Sequence, residues 1–149
     1  GRYHENALGE YNYNFMQPEN GENPVDTFFA NFNWGKSEVD YSISTAKWIN
    51  RNPYDVLAGL ELQKGGSYKT NVDWNAILDE HGKLRLSLGL YAPDTITGLG
   101  KTGEGYHTHE DLFWTGFQGD PTKGKPADQS WYGMSNLVVD KTPITSEDF

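Results

Sequence analysis

The chain has 149 residues, enough for one domain with its own core, and sets 12 Lys+Arg against 21 Asp+Glu for a formal net charge of −9. That balance argues against nucleic acid and anionic membranes, both of which need a basic patch, and the lack of cysteine excludes disulfides and thiolate metal sites. An aromatic content of 14% is too high for a disordered chain and suits a carbohydrate-facing surface or a piece of a larger domain. No apolar run is long enough for a signal peptide or a membrane span, and the chain opens on Gly1 rather than Met, so a segment of a longer protein is expected.

Tyr11, Tyr13 and Phe15 alternate with Asn12 and Asn14, which allows a short strand, although Asn disfavours one. Gln17–Pro24 is rich in turn formers and reads as a surface loop. The run Asp26–Trp34 (DTFFANFNW) then alternates. Phe29, Asn31 and Asn33 fall on one face of a strand, and Phe28, Ala30, Phe32 and Trp34 on the other. Two amides on one strand are most simply satisfied by neighbouring backbone; in a barrel strand they would face the interior and its ligand.

Ser37, with Asp40 three residues on, predicts a helix start of the capping-box type. Val39, Ile43, Ala46 and Ile49 recur at helical spacing and predict the docked face. Pro53 ends the helix over Asn50–Pro53, because the residue before a proline avoids helical geometry. Asp55–Gln63 (DVLAGLELQ) is the near-continuous apolar run of a parallel strand buried on both faces, with Gly59, Glu61 and Gln63 on one side. A carboxylate inside such a strand needs a partner or a wet cavity. Glu61 is therefore either half of an ion pair or an acceptor for a ligand hydroxyl, and the pattern leaves both open.

Lys64–Lys69 (KGGSYK) predicts a flexible loop at that strand's C-terminal end. Asn71–Glu80 predicts a short helix with Trp74, Ile77 and Leu78 inward, closed by His81 and Gly82. In Leu84–Asp94 (LRLSLGLYAPD), Ser87, Gly89 and Tyr91 share one face and Leu86, Leu88 and Leu90 the other. Strand, helix, strand, helix, strand is the signature of an α/β chain with a parallel sheet, whose ligand site gathers at the strands' C-terminal ends.

Two later motifs carry little. Gly100-Lys101-Thr102 follows a strand as a phosphate loop does, but Thr95 stands where that motif needs glycine, and Gly103-Glu104-Gly105 is expected to break the helix it must enter. His107, His109, Glu110 and Asp111 could ligate a metal, yet no further ligand stands at useful spacing, and no metal or other cofactor is expected. Leu112–Gly119 is apolar enough to belong to a closing helix, Pro121–Gln129 reads as a polar loop and Trp131–Val139 as an aromatic-to-apolar stretch. The expected domain is 1–139, with 140–149 a polar tail or linker.

The segments FFANFNW, NPYDVLAGLELQKGGSYKT and LRLSLGLYAPDTIT, with LGEYNYNFMQPE before them and FQGDPT and WYG after, resemble the endo-β-N-acetylglucosaminidases of glycoside hydrolase family 85. The likeness is strongest to the large, exported streptococcal-type members and runs from Gly1 to about Pro143. It implies a (β/α)8 barrel that cuts the chitobiose core of N-linked glycans by substrate assistance, an exception to the two-carboxylate scheme. In that family an asparagine orients the substrate's acetamido group, and a glutamate two residues on acts as acid and base. No strand here ends in that pair. Asn20-Gly21-Glu22 has the spacing but lies in a Gly/Pro loop without a preceding apolar run.

The resemblance therefore implies the C-terminal portion of the barrel, roughly the sixth to eighth strands, with the catalytic pair upstream. It also implies Trp34 and Tyr91 around the cleaved sugar, Tyr91 as a donor in the transition state, and Asn31, Asn33 and Glu61 as polar wall. The implied partners are the N-glycan and the N-terminal half of the barrel, with no nucleic acid and no membrane insertion in this segment, in a protein that is extracellular or attached to the cell wall. A carbohydrate-binding module is the alternative; such modules are mostly all-β sandwiches, which the two helical patterns oppose.

Overall fold

The computed structural model describes residues 5–98, 103–116 and 131–137. Its frame is a three-stranded parallel sheet in the order β1 (Phe28–Ala30), β2 (Val56–Glu61), β3 (Ser87–Tyr91). Helix α1 (Lys36–Trp48) links the first pair. Between β2 and β3 run the one-turn helix α2 (Leu62–Gly65), a 3₁₀ turn at Ser67–Lys69 and the short helix α3 (Trp74–Ile77). After β3 come a 3₁₀ stretch at Pro93–Gly98, helix α4 (Gly103–Thr115) and a last 3₁₀ turn at Met134–Leu137.

The register pairs Phe29 with Leu57, Leu57 with Ser87, Gly59 with Gly89 and Glu61 with Tyr91. One face of the sheet thus carries Phe29, Gly59, Glu61, Ser87, Gly89 and Tyr91, the grouping expected from two-residue alternation. The opposite face (Phe28, Ala30, Val56, Ala58, Leu60 and the leucines of β3) takes all the helical packing. Val39, Ile43, Ala46 and Ile49 meet Val56 and Ala58 in one core cluster, while Leu60 joins Leu62, Tyr68, Ile96, Phe113 and Trp131 in a second. The apolar run of β2 predicted cover on both faces; among the described residues helices cover only one. On the other, the Phe29 ring lies across two glycines: a Cβ on Gly59 would stand 2.6 Å from that ring and 2.6 Å from the Ala30 carbonyl, and a Cβ on Gly89 would collide with the same ring.

Several local expectations are corrected. Tyr13–Phe15 is a 3₁₀ turn, not a strand, which agrees with the poor strand propensity of its asparagines. The first strand stops at Ala30, because the Asn31 N–H turns aside to donate to Glu5 O at 2.7 Å. Phe32 consequently leaves the alternation and packs against Phe29 and Tyr91 of the opposite face, with ring centroids 6.1 and 5.3 Å away. Helix α1 is capped from Gly35, whose N–H donates to Glu38 Oε2 at 2.9 Å; Asp40 instead pairs with Lys36 and Arg85.

Asn71–Glu80 is helical only over Trp74–Ile77, though Ile77 is buried and Trp74 and Leu78 pack on the core as expected. Gly103 and Gly105 do not break a helix: they open α4, where first-turn N–H groups lack intrahelical partners and glycine is least harmful. Asn20 and Gly21, both at positive φ, form a tight turn bracketed by reciprocal Glu19–Glu22 backbone bonds of 2.9 Å, so Asn20-Gly21-Glu22 is a hairpin tip. Gly100-Lys101-Thr102, the loop at 121–129 and the tail at 140–149 lie outside the described residues. Among those residues, no helix is long and apolar enough to cross a membrane.

Candidate functional site

The C-terminal ends of β1 and β2 open into a cleft of about 640 Å³, within the usual size of ligand pockets. Asn31, Asn33 and Trp34 approach from the β1–α1 connection, and Glu61 from the tip of β2. Opposite them stand Lys64, Thr70, Asn71 and Asp73 from the β2–α3 connection.

Trp34 is the best-anchored member. Its indole N–H donates to the Gly59 carbonyl at 2.8 Å, and its half-buried ring touches both core clusters. That bond is possible because Gly59 lies at the level where the chain of β1 has already turned outward. Asn31 is tied down on every side: its amide donates to Glu5 Oε2 at 3.1 Å and its Oδ1 accepts from the Phe32 N–H at 2.8 Å. Asn33 is exposed, and its carbonyl accepts from the Asn6 amide at 2.7 Å.

Glu61 also has a structural role that the sequence did not suggest. Its Oε1 accepts from the backbone N–H groups of Gln63 at 3.1 Å and Lys64 at 3.4 Å, so it is the N-cap of α2. The strand ends at Glu61 because the chain turns helical at Leu62, which removes Gln63 from the sheet face. The Glu61 side chain still borders the cleft, as does Lys64.

Tyr91 lies apart from this group. Although register partner to Glu61, it is 47% exposed and lines a second groove of about 570 Å³ with Phe15, Phe29 and Phe32. Asn31 and Phe32 form the ridge shared by the two depressions. The structure thus brings Asn31, Asn33, Trp34 and Glu61 together and sets Tyr91 on the far side of Phe32. Lys64, Asn71 and Asp73 were not singled out by the sequence. Their signal was positional only, since they sit in or just after the loop that follows β2.

His107 and His109 differ in their surroundings. His107 is exposed on α4, and His109 faces inward to share a 2.9 Å hydrogen bond between its Nδ1 and the Tyr68 hydroxyl. Residues two apart on a helix point in different directions, and no group of three or more metal-ligating side chains occurs among the described residues.

The family model of glycosyl hydrolase family 85 matches residues 2–149. The chain belongs to glycosyl hydrolase family 85. It is similar to the crystal structure of the glycoside hydrolase domain of Endo-D from Streptococcus pneumoniae R6, with 72% identity and a TM-score of 0.89. That match covers 93% of this chain and 22% of the other, so this family 85 chain spans under a quarter of the Endo-D chain. A comparison with curated protein sequences finds no match. The cleft at the strand ends of this family 85 chain is lined by the Trp34 ring among amides, carboxyl groups and one lysine.

Proposed function

We propose that the chain is the C-terminal portion, about strands six to eight, of the (β/α)8 catalytic barrel of an exported endo-β-N-acetylglucosaminidase. The observation that carries this reading is the family 85 match along the whole chain, joined to 72% identity with the Endo-D domain. The topology supports it. Parallel strands in sequential order with helices packed on one face form a singly wound sheet, the arrangement that closes into a barrel. The cleft at the C-terminal strand ends is where such a barrel keeps its substrate.

The reaction is hydrolysis between the two N-acetylglucosamines of the N-glycan core. The substrate's acetamido oxygen attacks the anomeric carbon, and the asparagine and glutamate that orient the amide and move the proton lie upstream of this chain. Within the chain, Trp34 supplies a stacking face for a pyranose ring, and Asn31, Asn33 and Glu61 supply the polar wall. Tyr91 supplies a hydroxyl toward the acetamido region from beyond Phe32.

The decisive assay is glycan release from a defined N-glycopeptide by two preparations, the isolated chain and a longer protein that restores the preceding strands. Release is expected from the longer protein only. General acid–base help alone is worth about 10²–10⁴-fold, so a chain without the pair should be silent. Release by the rigorously purified chain would overturn the assignment of the pair to the upstream region; silence of the longer protein would overturn the activity.

A further inference from the structure

We propose that Tyr68 and His109 form a latch that positions the β2–α3 loop and thereby one wall of the cleft. The loop's backbone bonds are local, from the Gly66 N–H to the Leu62 carbonyl (3.0 Å), Lys69 to Gly66 (3.2 Å) and Thr70 to Ser67 (3.0 Å), and do not tie it to the rest of the fold. It consists of the one-turn helix α2 and a single 3₁₀ turn, joined through Gly66 (φ +79) and Ser67 (φ +58). The left-handed region suits glycine but strains serine. Ser67 Oγ and Thr70 Oγ1 are both buried with no hydrogen-bond partner among the described residues. A segment with a strained residue and two unsatisfied hydroxyls keeps its shape only if something outside it imposes that shape.

Tyr68 is the outside anchor. Its ring is buried in the second core cluster beside Leu62, Phe113 and Trp131. It also stacks on the His109 imidazole at 5.7 Å with planes 19° apart, while the hydroxyl and Nδ1 are 2.9 Å apart. His109 comes from α4, which contributes no residue to the cleft. On its other side the same loop presents Lys64, Gly65 and Thr70 to the cleft and leads directly into Asn71 and Asp73. The Thr70 side chain fills the space beside Gly65, so the two ends of the loop that Tyr68 anchors pack on each other at the wall. Tyr68 and His109 touch no ligand in this arrangement; they are positioning residues.

The consequence for substrate rests on the glycosidase reading, whereas the latch itself does not. Both are tested in the longer enzyme with Tyr68→Phe, His109→Ala and His109→Asn, the last because an asparagine Oδ1 can stand where Nδ1 stands. Hydrogen exchange of residues 62–73 should quicken about five- to tenfold in Tyr68→Phe and His109→Ala, the loss expected for one hydrogen bond, while α1 amides are unchanged. His109→Asn should restore slow exchange. The first two variants should raise KM for the glycopeptide several-fold with kcat held within about twofold, and His109→Asn should return KM toward wild type.

Unchanged loop exchange in the first two variants would overturn the latch, as would faster exchange spread through α1, which would mark general destabilisation. Faster loop exchange with an unmoved KM would overturn the link to the cleft. If the longer enzyme releases no glycan, the glycosidase reading fails, and loop exchange with its rescue still decides the latch.

Discussion

Arg51 sits in a stretch that reads from sequence only as a helix stop, yet its guanidinium is buried and engaged at all three nitrogens. Nε donates to Asp55 Oδ2 at 2.8 Å, Nη1 to the carbonyls of Met16 and Val25 at 3.0 Å each, and Nη2 to the Asp26 carbonyl at 2.6 Å. One planar fork thus ties the N-terminal segment to the turn entering β2, a geometry an ammonium cannot copy. Arg51→Ala strands three carbonyls and a carboxylate and should destabilise by about 3–5 kcal/mol. Arg51→Lys should recover only a minor part, which chemical denaturation of the longer protein would show. At the cleft, Trp34 and Tyr91 should separate kinetically. On the proposed reading Tyr91 donates to charge developed in the transition state, so Tyr91→Phe should lower kcat by about 10²–10³ with little change in KM. On the same reading Trp34 stacks on a sugar ring, so Trp34→Ala should raise KM or alter product partitioning. Wild-type kcat in Tyr91→Phe would reduce Tyr91 to a packing partner of Phe32.

Among the elements, the sheet's uncovered face is shaped by one ring over two glycines, and the two glycines are not equivalent. An added methyl at Gly89 meets the Phe29 side chain, with Leu57 Cβ next at 3.4 Å; at Gly59 it also meets the Ala30 backbone oxygen at 2.6 Å. Each Gly→Ala change should destabilise by about 1–3 kcal/mol, the usual range for overpacking. Combining each with Phe29→Leu should relieve Gly89→Ala and leave Gly59→Ala largely unrelieved, because a side chain can be shortened and a strand carbonyl cannot move. Equal rescue of both, measured as the midpoint of denaturation, would show that β1 shifts bodily. The same face explains why Phe32 matters although it lies outside any strand: with β1 only three residues long, its ring continues the aromatic surface that β1 does not.

For the whole molecule, two features set the expected behaviour. The described sheet leaves Phe29 and Tyr91 43% and 47% exposed on its uncovered face and presents two parallel edges, a combination prone to association. The isolated chain should therefore aggregate or melt broadly, and recover a sharp transition when the preceding barrel strands are supplied; a cooperative melt of the soluble monomer would contradict this. Acid should weaken the fold as well. Hydrogen bonds from Lys36 and Arg85 hold the Asp40 carboxyl below its usual range, those from the Lys83 and His81 backbone do the same for Asp79, and those from the Gly35 backbone and Ser37 for Glu38. With the folded values depressed, the unfolded chain binds more protons below about pH 4, so the contribution is full above that range and is lost as pH falls through the folded values. A melting series across that window should show the fall, and Asp40→Asn should flatten part of it.

The sequence by itself determined the features that depend on local period: which residues of α1 face the core, which side of each strand carries Gly59, Gly89, Ser87 and Tyr91, and the parallel order that places a cleft at the strand ends. Those follow from 3.6- and 2-residue repeats, which hold inside an element without reference to distant chain. Only the tertiary structure decided what happens where an element stops. Glu61 became a helix cap because the chain turned at Leu62, Phe32 crossed to the other face because Asn31 found Glu5, and Gly103 proved tolerable because it begins a helix instead of interrupting one. His109 found its role in Tyr68, 41 residues away. Such partners are chosen by docking between remote segments, and no local repeat encodes them.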